Sequence, residues 1–425
     1  MKLRKVFASV FLFCSLLLGG CANYAPPKPD HQPFQSRLET QVDGRVRVSA
    51  AVLTPEESEH AFAAPLAAKG IQPVWIEVDN QEAQEFALML LSVDPDYFSP
   101  SEAAWKSRRF GERKAPAKMR FFLEQQIPLV IPPRTTRAGY VYTNLDPGAK
   151  AFAVELIGEQ DVRSFEFVQE VPGFTADFMR VDFESLYEPE EIQDIDLDGL
   201  RRYLESLPCC VFGGDQKTPG DPLNLVIVGQ GKHMLATLVR RGWDLTETTR
   251  IGTAWRTTLS SLFKSEYRTS PVSSLYLFDR PQDVALQKAR STVDERNHLR
   301  LWLAPVTLEG TLVWVGQISR DIGVRFSSKT LVTHKIDPVV DEARTYILLD
   351  VAASQAMAQF GYTEGVGFAP IEEPRYNYTN DPYYTDGLRL VLILAEDTVS
   401  LDQIESLEWS MPPDFRDTMG LESAR

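Results

Sequence analysis

The chain begins with a short basic head and an apolar run that ends at a cysteine, and this start constrains what the rest can fold into. Lys2, Arg4 and Lys5 precede residues 6–20, which are almost wholly apolar, and Leu18-Gly-Gly-Cys21 closes the run. Charge, apolar core and small residues in this order are typical of a secretory signal. The run is too short to span a bilayer, which takes about 20 apolar residues. We therefore expect residues 1–20 to be a signal peptide and folding to take place outside the cytosol.

The ending of this segment resembles that of a bacterial lipoprotein, in which the cysteine is kept and acylated. The resemblance implies that Cys21 carries acyl chains, palmitate among them, and becomes the first mature residue; an incidental cysteine after an ordinary cleavage site is the alternative. Ala22 rather than Asp follows the cysteine, which by resemblance to lipoprotein sorting favours the outer membrane, with the protein facing the periplasm. Two or more acyl chains anchor a protein stably, so the membrane is the first predicted partner.

The charge balance excludes one class of partner. The formal net charge is −15, whereas nucleic-acid binding depends on basic patches that release counterions. We predict no nucleic-acid partner and no cofactor, and we expect attachment to the membrane to come from acyl chains.

Prolines and turn residues suggest the organisation of the first half. Residues 21–44 contain several prolines among polar residues and predict an extended tether. Short β patterns separated by turn signals over residues 45–185 predict an immunoglobulin-like β-sandwich with an inserted helix. Within it, residues 71–78 and 86–93 are expected to pair as an antiparallel hairpin.

The second half has a different pattern. Residues 186–206 predict an acidic linker and a short helix; a calcium loop is the alternative, but the run lacks the glycine and the spacing of an EF-hand. Residues 207–425 mix helices and strands without regular βαβ alternation, which predicts an α+β domain and an α+β chain as a whole. Residues 388–395 are expected to form an apolar strand in the middle of a sheet.

Cys209 and Cys210 are adjacent, so they cannot staple distant segments. They either close a vicinal ring or pack as two small apolar residues, and we favour packing. Gly229-Gln-Gly-Lys232, between a strand and a helix, is a possible phosphate cradle. It fails the nucleotide-binding fingerprints, so an ordinary turn is favoured.

One strand pattern brings three candidate ligand-binding residues to one face. His298, Arg300 and Trp302 alternate with leucines, and a period of two puts the three on one face of a strand. Together they could hold a carboxylate or phosphate, although a solvated sheet face is the simpler interpretation. His334, on a later strand, could meet His298, with Asp321 as a third group, but the spacing matches no zinc signature, and we predict no metal site.

Several motifs in order resemble the LssY-like C-terminal domain, from about residue 207 to residue 365. They are Leu207-Pro-Cys-Cys210, Gly220-Asp-Pro-Leu-Asn-Leu-Val226, Pro271-Val-Ser-Ser-Leu-Tyr-Leu-Phe278, Asp283-Val-Ala-Leu-Gln-Lys-Ala-Arg290, His298-Leu-Arg-Leu-Trp302, Val313-Trp-Val-Gly316 and Thr333-His-Lys-Ile-Asp-Pro338. The resemblance implies a bacterial envelope protein from a family named after a type I secretion component. Some members are fused to membrane-embedded modules that this chain lacks. The ligand-binding candidates within these motifs are Gln287, Lys288, Arg290, His298, Arg300 and Trp302.

Three functions follow as hypotheses. The first is a non-catalytic envelope lipoprotein that binds an anionic envelope ligand, such as a lipid headgroup, or a protein partner. The second is a hydrolase of phosphate esters or envelope glycolipids, with His298 and His334 as base and acid and Asp321 beside them. The third is a structural subunit of a secretion or transport assembly. Enzyme activity stays open and is disfavoured, because no HExxH or GxSxG motif occurs in the chain.

Overall fold

The computed structural model describes residues 24–27, 33–109, 116–146, 149–171, 181–183, 185–245, 274–292, 295–327 and 331–412. Contacts divide the chain into two compact units. The first unit runs to Phe86 and adds Asp96–Leu145; the second combines Ala87–Pro95 with the chain from Asp146 onward. Helices and mostly antiparallel sheets occur together, so the predicted α+β class is confirmed.

The helices and strands have the following bounds. The helices are α1 (Pro55–Phe62), α2 (Leu90–Val93), α3 (Pro100–Lys106), α4 (Pro116–Gln125), α5 (Leu197–Ser206), α6 (Gly231–Arg240) and α7 (Val340–Ala352), with 3-10 turns at Pro33–Arg37, Ala67–Lys69 and Leu401–Gln403. The strands of the first half are β1 (Glu39–Asp43), β2 (Val46–Val52), β3 (Ile71–Asn80), β4 (Phe86–Met89), β5 (Val130–Ile131), β6 (Thr135–Asn144), β7 (Ala149–Ile157) and β8 (Val162–Glu170). Those of the second half are β9 (Gln193–Ile195), β10 (Cys210–Phe212), β11 (Pro219–Pro222), β12 (Leu225–Val228), β13 (Asp244–Leu245), β14 (Tyr276–Leu277), β15 (Arg280–Pro281), β16 (Val284–Thr292), β17 (Glu295–Leu308), β18 (Thr311–Ser327), β19 (Leu331–Ile336), β20 (Met357–Glu364), β21 (Arg375–Tyr376), β22 (Pro382–Tyr383), β23 (Leu388–Leu394) and β24 (Glu405–Ser406).

The first unit is built on an antiparallel sheet in the order β1-β2-β3-β6. Helix α1 begins with a capping box: the Thr54 hydroxyl accepts from the Glu57 amide (3.1 Å) and the Glu57 carboxylate accepts from the Thr54 amide (2.8 Å). Phe62 of α1 is fully buried against Phe122 of α4 and Tyr140 of β6. An aromatic core therefore holds the helices on the sheet.

The predicted tether is shorter than residues 21–44. Phe34 is 1% exposed and packs against Trp75 and Tyr140, with ring centroids 5.6 and 6.1 Å away. Strand β1 pairs along its whole length with β2. Burial of one aromatic side chain thus outweighs the preference of the nearby prolines for extended, solvated chain.

The hairpin predicted for residues 71–78 and 86–93 is wrong. Strand β3 pairs with β2 and β6, whereas β4 pairs with β7. Residues 90–93 form α2 instead of continuing the strand, and the Ser92 hydroxyl accepts from the Glu155 amide of β7 (3.0 Å). The single β-sandwich over residues 45–185 stays a prediction.

The second unit contains a ten-stranded sheet in the order β13-β16-β17-β18-β12-β23-β20-β24, with β9 added to β17 and β19 to β18. Helices α6 and α7 cover one face, where Leu299 and Leu301 lie in the core. Helix α5 covers the other face, where Leu200 and Leu204 pack with Trp302. As predicted, the apolar strand β23 lies inside the sheet, between β12 and β20.

The acidic stretch of residues 186–206 is partly built into this sheet. Strand β9 pairs in parallel with β17. Asp194 accepts from the Thr307 hydroxyl and the Gly310 amide, both at 2.8 Å, and Asp196 caps α5 by accepting from the Gly199 amide (2.7 Å). These carboxylates therefore satisfy backbone and hydroxyl donors, and the stretch is more ordered than a solvated linker.

Candidate functional site

The alternation predicted for residues 298–303 is present in β17. Leu299, Leu301 and Leu303 lie in the core under α6 and α7. His298 and Arg300 are on the other face, because successive side chains of a strand point to opposite sides. Both are nonetheless buried, with 6% and 8% of the residue exposed. The solvated sheet face expected from the sequence is therefore not found.

His298 forms a close pair with Asp321 of β18. Their Nε2 and Oδ2 atoms are 2.6 Å apart, and Arg296 Nε lies 3.9 Å from the same oxygen. Burial lowers the pKa of His298 to about 4, in spite of the opposing effect of the neighbouring Asp321 carboxylate. The imidazole is thus neutral at pH 7, and a neutral ring beside a carboxylate donates through Nε2.

Arg300 lies opposite Gln317 of β18 in the strand register, and its Nη1 donates to Gln317 Oε1 (2.9 Å). Burial lowers the pKa of Arg300, partly offset by Asp221 and Asp321. Among the described residues, Arg300 forms no ion pair within 4 Å, and neither its Nε nor Gln317 Nε2 finds a hydrogen-bond acceptor. Two buried donors of one hydrogen-bonded pair therefore lack an acceptor in the described part of the chain.

Asp221 of β11 is the second carboxylate that acts on Arg300. Burial raises the pKa of Asp221, although it accepts a hydrogen bond from Asn377 Nδ2 (2.7 Å). A raised pKa favours the neutral acid, so Asp221 compensates the Arg300 charge less than an ordinary carboxylate would. We call the group Arg296, His298, Arg300, Gln317, Asp321 and Asp221 the Arg300 cluster.

The Arg300 cluster includes residues that the sequence did not single out. Gln317 could have been found by extending the period-two argument to the next strand, where it faces Arg300. Asp221 and Asn377 give no such signal, because they lie on short segments far apart in the chain and meet only through folding.

Gln287 is a further predicted residue that joins this face, besides His298 and Arg300. It lies opposite His298 in the register of β16 and β17, and its Oε1 accepts from Arg296 Nη1 (2.7 Å). Lys288 instead binds both oxygens of Asp350 on α7, at 3.0 Å each. Trp302 lies in the apolar core and donates to the Arg280 carbonyl (3.3 Å).

The side chains of Arg290 and His334 lie outside the described residues. The backbone of His334 is opposite Val324 of β18, whereas His298 is opposite Ser319. Five residues of strand separate the two positions, roughly 16 Å. The register therefore lends no support to a pairing of the two histidines.

Cys209 and Cys210 are joined as a vicinal disulfide, so the ring interpretation replaces the favoured one of simple packing. Cys210 is buried at the start of β10, and its Sγ lies 3.5 Å from the Tyr383 hydroxyl. Within the described residues, no group of three or more His, Cys, Asp or Glu side chains is arranged to hold a metal ion.

The turn at residues 229–232 borders a cavity of about 440 Å³. Its walls are mostly apolar, with Phe183, Leu303 and Trp314 among them; Lys232 and Glu170 contribute charged groups. The Gly229 carbonyl accepts from Trp314 Nε1 (3.1 Å). Apolar walls do not match a phosphate cradle, and the turn is the ordinary strand-to-helix connection that the sequence favours.

Comparison with known protein families finds a match in this chain. Residues 202–388 match the family model described as LssY C-terminus. This segment matches the LssY-like C-terminal domain that the motifs predicted. Every member of the Arg300 cluster, together with the vicinal disulfide, lies inside the LssY C-terminal domain. No curated protein matches the chain. In the part of the chain that the structure describes, no helix is both long and apolar enough to cross a bilayer.

Proposed function

We propose that the protein is a lipid-anchored envelope protein whose LssY C-terminal domain binds an anionic ligand at the Arg300 cluster. The observation that carries this proposal is the buried guanidinium of Arg300. A buried charge normally has an ion-pair partner or a full set of hydrogen bonds. Arg300 has one amide acceptor and no ion pair among the described residues.

A second buried arginine, Arg389 of strand β23, shows what a purely structural role looks like in the same sheet. Arg389 is fully buried and donates to the carbonyls of Leu204, Leu207, Pro208, Leu223 and Gly365. All of these acceptors are backbone carbonyls, and three of them lie at or just after the end of α5. Arg300 has no comparable set, which supports a role in binding a group that accepts hydrogen bonds and carries negative charge, such as phosphate or carboxylate.

Inorganic phosphate is a suitable probe for this proposal. We expect phosphate to raise the melting temperature of the mature chain above its value in sodium chloride of equal ionic strength. A ligand at about 100 times its Kd stabilises a protein by about 2.7 kcal/mol. Arg300→Gln should abolish the stabilisation, and Arg300→Lys should retain part of it because the charge remains without the bidentate fork.

Arg202→Gln is the matched control, because Arg202 is exposed on α5 of the same domain. It should leave the phosphate effect unchanged. Equal stabilisation of the Arg300→Gln variant and the parent chain would exclude the Arg300 cluster as the anion site.

The contact between His298 and Asp321 favours hydrolysis as a second candidate function. A neutral imidazole held by a carboxylate is the arrangement of a general base. If His298 activates water, turnover of p-nitrophenyl phosphate should persist from pH 7 to pH 5, because the pKa of His298 is lowered to about 4. His298→Asn should abolish turnover, and His60→Asn, at an exposed position of α1, should not. If the parent chain turns over p-nitrophenyl phosphate no faster than the His298→Asn variant does, hydrolysis at His298 is excluded.

A further inference from the structure

Two helices of the first unit expose large apolar side chains. Trp105 on α3 is 61% exposed, and Met119 and Leu123 on α4 are 45% and 50% exposed. Met119 and Leu123 are four residues apart and so lie side by side on the helix. Single exposed apolar residues are ordinary, but several on adjoining elements indicate an interaction surface. We call Trp105, Arg108, Met119, Arg120 and Leu123 the α3–α4 surface.

The α3–α4 surface is basic in an acidic protein. Its two charged members are both arginines, whereas the chain has a formal charge of −15. The nearby Lys106 and Arg109 pair with Glu102 and Glu59. The positive charge of the surface therefore comes from Arg108 and Arg120. The Arg108 guanidinium lies over the Trp105 ring, 3.1 Å from its centroid. Within the described residues, neither Arg108 nor Arg120 forms an ion pair within 4 Å. These charges are available to an anionic partner.

The two helices form one support for these side chains. Lys118 of α4 is buried and donates to the Ser107 carbonyl at the end of α3 (2.9 Å). Phe122 of α4 is fully buried in the aromatic core of the unit. The exposed side chains are therefore presented by helices that are fixed to the sheet.

The N-terminal chain reaches helix α4. The Tyr24 ring packs against Phe121 of α4, with centroids 6.2 Å apart, and Lys118 Nζ lies 5.4 Å from the Tyr24 ring centroid. The Tyr24 hydroxyl donates to the Phe62 carbonyl (2.8 Å). Cys21 is three residues earlier, and three residues span at most about 11 Å. Acyl chains on Cys21 would therefore hold α4 close to the bilayer surface.

From these observations we infer that the α3–α4 surface docks on the membrane that carries the anchor. Arg108 and Arg120 bind the phosphates of anionic phospholipids, and Trp105, Met119 and Leu123 enter the interfacial layer, as aromatic, apolar and basic side chains do at membrane surfaces. This inference rests on the proposed acylation of Cys21, which brings the surface to the bilayer, but the docking contacts themselves need no acyl chain.

The experiment uses the mature full-length chain with Cys21→Ser, so that binding by the surface is measured without acyl chains. Co-sedimentation with vesicles of phosphatidylethanolamine and phosphatidylglycerol (3:1) should show binding that weakens with salt. Adding Trp105→Ser and Leu123→Ser should weaken binding by about tenfold or more, because apolar area is lost from the interface. Arg108→Gln with Arg120→Gln should remove the preference over vesicles of phosphatidylcholine alone.

The matched control is Ile371→Ser with Leu401→Ser, two side chains of the second unit that are 67% and 64% exposed. This pair should leave vesicle binding unchanged, and thermal unfolding should confirm that all variants fold. Binding that is absent from the Cys21→Ser chain, or that both double variants reduce equally, would overturn the docking surface. Palmitate labelling of Cys21 in cells decides the anchor separately, so the two failures can be told apart.

Discussion

Two buried arginines on the same face of one sheet have different surroundings. Arg389 is surrounded by carbonyl oxygens, and burial lowers its pKa to about 10. Arg300 meets one amide oxygen and two carboxylates at longer range. Both residues are arginines and both are buried, with 8% of Arg300 and 0% of Arg389 exposed, so the main difference lies in the acceptors that folding brings to each guanidinium.

Arg389→Lys should therefore destabilise the protein strongly. A lysine has three donors in place of five and cannot reach the same set of carbonyls, so buried acceptors are left without partners. We expect the free energy of unfolding to fall by about 3 kcal/mol. Urea denaturation measures the loss, with Arg202→Lys as the exposed control. A loss no larger than that of the control would contradict the structural role.

His298 should make stability depend on pH. Its folded pKa is lowered from 6.5 to about 4. Between these values the unfolded chain takes up a proton that the folded chain does not, so the free energy of unfolding falls as the pH drops through this window. The contribution amounts to about 3 kcal/mol at most. His298→Asn should flatten the curve between pH 6.5 and 4. A slope that survives in the His298→Asn variant would show that other groups cause it.

At the scale of elements, periodicity predicted the positions of two strands well and the partners of strands poorly. The alternation of β17 and the apolar run of β23 both place their residues as expected. The predicted pairing of β3 with β4 is wrong, because residues 90–93 form helix α2 and β4 pairs with β7. The period of a strand predicts which of its faces is apolar, but it does not predict which other strand pairs with it.

The first turn of α5 provides a test at this scale. Asp196 accepts from the Gly199 amide and so satisfies one of the unpaired donors of the helix start. Asp196→Ala should lower the free energy of unfolding by about 1 kcal/mol, whereas Asp196→Asn, which keeps the acceptor, should change it by a few tenths. Equal losses in both variants, measured by urea denaturation, would argue against capping.

At the scale of the molecule, the acidic net charge and the basic α3–α4 surface have opposite effects on binding to an anionic membrane. Overall charge opposes approach to an anionic bilayer, so we expect permanent attachment to come from the proposed acyl chains and headgroup binding to come from the local basic residues. Cys21→Ser should abolish palmitate incorporation. It should also let high salt extract the protein from envelopes, whereas the parent chain should need detergent. Palmitate incorporation that persists without Cys21 would contradict the lipid anchor.

The sequence by itself indicated the α+β class, the LssY-like C-terminal domain, the two-faced strand at residues 298–303 and the central apolar strand predicted at residues 388–395. These features depend on periodicity and local motifs, which are visible within a few residues. Only the tertiary structure decided that Gln317 and Asp221 join His298 and Arg300, with Asn377 bound to Asp221. It also decided that Lys288 pairs with Asp350 instead. The sequence also could not show that the face is buried, since burial depends on segments that are distant in the chain. A site of this kind is made by strand register and by long-range packing, and neither leaves a local pattern in the residues that form it.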